Sequence, residues 1–195
     1  MKANSIRPDE RQLFGERRGV GVRASATTLL SYDLTVVATG AADVVAGAGG
    51  WLYDRVRAGW KVSVVVPASC DVRPLEILGV ATYIAGGDAE DLPAEPAALA
   101  VPARLFESDR GLRRHVTGAL KRGTAEVTMW GDCATADVGY RVDRTQYRLS
   151  PAARAFKTHA LAAAGVTTAT VGAVEQFHSC ALWYPADGPD LTAVR

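Results

Sequence analysis

Cysteine is scarce in this 195-residue chain. Cys70, Cys133 and Cys180 are odd in number and widely spaced, which fits neither a disulfide framework nor a zinc knuckle. Cys70 ends one apolar run and Cys133 follows another, so buried or half-buried thiols are expected. No apolar run reaches bilayer-spanning length, and no membrane association is expected. The N-terminus, MKANSIRPDERQLFGERRG, lacks the apolar core of a secretory signal, which points to a cytoplasmic location. An excess of one charge is also missing. Lys and Arg total 22 against 21 Asp and Glu, a net of +1. This argues against bulk, charge-driven nucleic-acid binding, though not against a local basic patch. There is no Gly-x-Ser-x-Gly elbow for a hydrolase serine. The three histidines, His115, His159 and His178, stand in no ligand spacing such as His-x-x-x-His.

What is present reads as one ordinary globular domain, with 48% hydrophobic and 22% charged residues. Residues 1–30 form a polar, basic arm, 31–180 a single α/β domain and 181–195 a tail. The first strand is expected at Leu34–Ala38, followed by a helix from about Asp43 to Arg57. The β-branched run Val62–Val66 has the near-continuous apolar character of a strand buried on both faces. A short helix, Arg73–Leu78, and a strand, Ala81–Ala85, come next. Gly86 to Ala100, broken by Pro93 and Pro96, reads as a loop. Further elements are a strand at Ala103–Phe106, a helix at Ser108–Arg122 with Ser108 as its cap, and a strand at Ala125–Trp130. After an extended arm at Gly139–Leu149, Ser150-Pro151 opens a helix that stops at Gly165. A last strand is expected near Thr168–Val171. Strands alternating with helices predict a mostly parallel three-layer sheet, RecA-like or Rossmann-like, with helices on both faces.

Four groups of residues could carry function. The glycine-rich junction TVVATGAADVVAGAGG runs a strand into a helix, where free N–H groups commonly meet a ligand. Gly40, Asp43 and Gly47 are its candidates, but no Lys-Ser/Thr follows the glycines and Asp43 would repel a phosphate. Asp71 and Asp132 sit just past strands, where α/β sheets place their sites; the alternative is loop or capping roles. Arg113 and Arg114, with Arg141, Arg144, Arg148, Arg154 and Lys157, would form a weak single-stranded DNA groove if the two groups share a face. Otherwise they are solvated surface. Trp183 and Tyr184, flanked by Pro185, would either dock a protein partner or strap onto their own domain.

Two family resemblances follow from these residues. AGWKVSVVVPASCDVRPLEILGV resembles a RecA-type ATPase segment at Gly59, Asp71, Leu78, Gly79 and Val80. ALKRGTAEVTMWGD is similar to the run ending in that family's magnesium-assisting aspartate, which falls on Asp132. The phosphate-loop Lys-Thr has no counterpart, and Pro67 stands where the RecA glutamate would be. Over residues 35–175 the chain thus resembles the RecA/SulA-like accessory proteins of mutagenic translesion synthesis, with the ATP site lost. That resemblance implies a non-catalytic scaffold for DNA-damage tolerance, no cofactor, and a polymerase or clamp as partner. The stretch DVVAGAGGWLYDRVRAGWKVSVVV instead resembles the first helix and second strand of LmbE/PIG-L deacetylases. Their zinc motif, His-Pro-Asp-Asp-Glu, falls on Gly40-Ala41-Ala42-Asp43-Val44, where only Asp43 is retained. This second resemblance implies a small-molecule-binding protein or divergent hydrolase with its site at the Gly40–Gly50 junction.

Overall fold

The computed structural model describes residues 32–85, 96–123, 125–132, 142–167, 170–180 and 191–194. They belong to one unit, Ser31–Arg195. Five parallel strands form its core: β1 (Asp33–Val37), β2 (Lys61–Pro67), β3 (Ala81–Ala85), β4 (Ala98–Pro102) and β5 (Glu126–Trp130). Three antiparallel strands extend the sheet beyond β5: β6 (Asp143–Arg148), β7 (Val174–Cys180) and β8 (Thr192–Ala193). The order across the sheet is β3-β2-β1-β4-β5-β7-β6-β8.

Helices cover both faces. On one, α1 (Ala41–Arg57), α2 (Arg73–Ile77) and α5 (Pro151–Ala163) pack together over a core that includes Val36, Val64, Leu52, Leu75, Leu161 and Phe177. On the other, α3 (Ala103–Ser108) and α4 (Arg110–Arg122) cover Leu99, Val101, Val127 and Met129 through Phe106, Leu112, Val116 and Leu120. Right-handed crossovers require this split: the chain steps outward through β2 and β3, then returns to β4 and proceeds the other way. Val62–Val66 alternate between the two cores, with Val62, Val64 and Val66 in the first and Val65 in the second. That is why four of its five residues are valine, with only the small Ser63, itself buried, between them.

Several sequence expectations need correction. Ala98–Pro102 is a strand, although the sequence reads residues 86–100 as a loop. The expected strand Ala103–Phe106 is the start of α3. α4 is capped by Asp109, whose side chain accepts from the Leu112 N–H at 2.9 Å, whereas Ser108 closes the preceding helix by donating to Leu105 O. The last long strand is Val174–Cys180, later than the expected Thr168–Val171. The far end of the expected tail is part of the sheet, with Leu191 buried and Thr192–Ala193 paired to β6. Trp183 and Tyr184 lie outside the described residues. By contrast, α5 begins as the sequence indicates. Ser150 accepts from the Ala153 N–H at 3.0 Å. Ser150 is held in turn by Asp54 of α1, which accepts from both its hydroxyl and its N–H, and from the Tyr147 hydroxyl. Among the described residues no helix is long and apolar enough to cross a membrane.

Candidate ligand-binding site

The sheet order reverses between β1 and β4. Loops leaving neighbouring strands there diverge to opposite faces and open a crevice at the carboxyl edge. A cavity of about 400 Å³ occupies this place, lined by Thr39 and Asp43 after β1, Pro102, Arg104 and Leu105 after β4, and Trp130, Gly131 and Asp132 after β5. Gly131 has φ +87°, a left-handed turn that favours glycine and leads the chain off the strand end.

Asp43 lies in the first turn of α1, where the helix dipole favours an acid. Its Oδ1 accepts from Trp130 Nε1 at a long 3.4 Å. Its Oδ2 is buried and has no hydrogen-bond partner among the described residues. The Ala41 N–H at the helix start donates to Cys70 Sγ at 3.2 Å. Arg104 and Asp132 are exposed at the cavity mouth. His178 lies near Asp132 and Arg144. Burial, reinforced by Arg144 and opposed by Asp132, holds its imidazole below the ordinary range.

Of the sequence candidates, Asp43 and Asp132 meet in this cavity, beside Gly40 at the helix N-cap. Asp71 does not join them. It accepts from the Arg73 guanidinium and, to a lesser effect, the Arg73 N–H, which hold its carboxyl below the usual range. Gly47 is not in a phosphate-type loop but inside α1, beneath Trp130.

Among the described residues the basic side chains do not form one groove. Arg113 donates to the Phe106 and Glu107 carbonyls and lies over the Phe106 ring, tying α4 to α3. Arg114 is exposed on α4, and Arg154 is exposed on α5 across the sheet. Arg144 and Arg148 are exposed on β6, and Arg141 lies outside the described residues. Lys157 is buried against Glu175, with Nζ to Oε1 at 2.6 Å, and cannot reach a surface strand of nucleic acid. Arg104 is not among the sequence candidates, because its surroundings read as a strand. Nor is Glu175, whose Lys157 partner is distant in sequence.

The residues at this edge do not fit a zinc ion. Gly40 and Val44 take the histidine and glutamate positions of the deacetylase-like motif, and Asp43 is turned toward Trp130. Among the described residues no group of three or more His, Cys, Asp or Glu is placed to hold a metal.

No family model matches the chain, and no curated protein matches it. The fold does resemble solved deacetylases. The A40926 pseudoaglycone deacetylase aligns with a TM-score of 0.50 and 12% identity, over 67% of this chain and 80% of that one. A deacetylase of the teicoplanin pathway, solved with teicoplanin, aligns with a TM-score of 0.52 and 11% identity, over 84% and 99%. At these identities the likeness is one of fold. It agrees with the second family resemblance and gives the RecA-like accessory reading no support. The chain is an α/β protein whose mixed, mainly parallel sheet is built like that of these deacetylases.

Proposed function

We propose that this protein binds a small molecule carrying amine or hydroxyl donors in the crevice between β1 and β4, without zinc chemistry. The observation that carries this reading is Asp43 Oδ2, a buried carboxylate oxygen without a partner among the described residues, in a cavity at the topological switch point. Such an oxygen carries a desolvation cost, which a turn of the Asp43 carboxylate presenting it to a ligand N–H or O–H in the cavity would offset. Asp43 and Asp132 carry two negative charges against one positive charge on Arg104, so a cation or a neutral polyol is accepted more readily than an anion. Trp130 gives such a ligand an apolar wall. The shared fold supports placing a small-molecule site at this edge, while the ligand chemistry is argued from these side chains.

Titration of ¹⁵N-labelled protein with glucosamine, glycerol and succinate tests the reading. Glucosamine should shift the amides of Thr39, Asp43, Gly131 and Asp132, and succinate should not. Asp43→Asn should weaken glucosamine about 10- to 100-fold, the worth of one charge-assisted hydrogen bond. Preference for succinate, or glucosamine shifts that spare this edge, would refute it.

A further inference from the structure

A second cavity of about 420 Å³ lies on the α1–α5 side of the same edge, sharing Trp130 and Gly131 with the first. Two buried charges line it, Lys157 at 6% exposure and Glu175 at 4%. Glu175 accepts from the N–H groups of Gly50 and Trp51, each at 2.8 Å, and from Lys157 Nζ. Lys157 Nζ also donates to the Ala46 carbonyl at 2.7 Å. Ala46 O and Gly50 N–H are ordinary i, i+4 partners in a helix. Here the ion pair reaches both, in the middle of α1. The small residues of the glycine run leave the backbone open to this approach.

An ion pair buried so deeply is tolerated only when its remaining donors and acceptors are met. The carboxylate has three donors. The ammonium has three protons and, among the described residues, two acceptors. The third proton is left on a side chain that lines the cavity. One acceptor oxygen would complete its set. The charges of Lys157 and Glu175 already cancel, so an anion entering here would bring an uncompensated charge against the Glu175 carboxylate. A neutral oxygen completes the set without that cost. Leu161, Val166, Val171 and Val174 supply an apolar lining for the rest of the molecule.

We infer that this cavity is a binding site for a neutral carbonyl compound with a short apolar body, its carbonyl oxygen accepting from Lys157 Nζ. The site stands independently of the one at Asp43.

N-ethylacetamide and cyclopentanone, with butyrate as the anionic match, test this by amide shifts in ¹⁵N-labelled full-length protein. The neutral carbonyls should give saturable shifts at Gly47, Gly172 and Glu175, with butyrate at least tenfold weaker. The double substitution Lys157→Met/Glu175→Gln removes both charges together and should abolish binding while a cooperative melt is kept. Val171→Trp, which fills the cavity without touching the ion pair, should abolish it as well and serves if the double variant does not fold. Butyrate binding as tightly as the amide would overturn the inference. So would shifts confined to Thr39, Asp43 and Arg104, no saturable shift at all, or unchanged affinity in either folded variant.

Discussion

Gly47→Ala and Gly49→Ala are the same substitution two residues apart in one helix, and their effects should have opposite signs. A methyl at Gly47 would fall within the Trp130 indole, 2.6 Å from Nε1 and 2.7 Å from Cγ. Trp130 is 3% exposed and stands between the two cavities, so it has little room to retreat. Overpacking of this kind costs about 1–3 kcal/mol, and the depth of the overlap puts Gly47→Ala at the upper end. Replacing a mid-helix glycine by alanine returns about 1 kcal/mol of helix propensity. The net loss is about 2 kcal/mol, roughly 4–8 °C in Tm for a domain of this size. At Gly49 the new methyl meets Leu78 Cδ1 at 3.3 Å and Val45 Cγ1 at 3.4 Å, the ends of side chains that can yield by a few tenths of an ångström. The propensity gain should then prevail, leaving Gly49→Ala neutral to about 1 kcal/mol more stable. Urea unfolding followed by far-UV circular dichroism measures both. Equal stability of the two variants would show that Trp130 does not pack on Gly47, and the wall between the cavities would have to be redrawn.

Lys157→Met leaves the Glu175 carboxylate buried without its counter-charge and should cost about 3–5 kcal/mol, while Lys157→Met/Glu175→Gln should recover at least half of that loss; urea unfolding of both variants measures the coupling. Asp54→Ala removes the acceptor of three hydrogen bonds that join α1 to Tyr147 and to the start of α5. It should cost about 2–3 kcal/mol by the same assay, and a loss below 0.5 kcal/mol would mean the cap stands without it. His178 is held below its unfolded value near 6.5, chiefly by burial. Its share of stability is therefore complete above that value and lost as pH falls through the lower folded value, so His178→Gln should flatten the decline in stability on acidification below about pH 6.5. Val64→Asp places an unpaired carboxylate in a fully buried strand position and should yield insoluble protein, checked by the soluble fraction on expression.

Apart from β4, the parallel half of the fold was legible because its signals are local. Val62–Val66 reads as a doubly buried strand from its β-branched run, and Ser150-Pro151 reads as a helix start because cap and first-turn proline act within four residues. β4 was harder to read. Ala98–Pro102 is fully buried, yet its alanines and proline have weak strand propensity. What makes it a strand is pairing to β1 and β5 on either side, a long-range fact. The same error displaced the following helix and hid Arg104. β8 is a two-residue strand whose place depends entirely on β6.

The glycine run shows why the site was only half legible. Composition alone cannot distinguish glycines that let backbone approach a phosphate from glycines that let side chains approach a helix. Both remove Cβ to admit a neighbour, and the neighbour belongs to distant sequence. Here the visitors are Trp130 at Gly47, Leu149 at Gly50, and the Glu175 carboxylate at the N–H groups of Gly50 and Trp51. Ordinary side chains at Gly47 and Gly50 would push all three away. Trp130 would then no longer separate two cavities, and Glu175 would lose the amides that make its burial tolerable. The position of Asp43, by contrast, is legible in the sequence from a local signal. An acid in the first turn of a helix, just past a central strand, is placed by the strand-to-helix junction itself, whatever packs around it. On the proposed reading the junction serves the crevice through the carboxylate at its start, while its glycines serve the packing that shapes the walls.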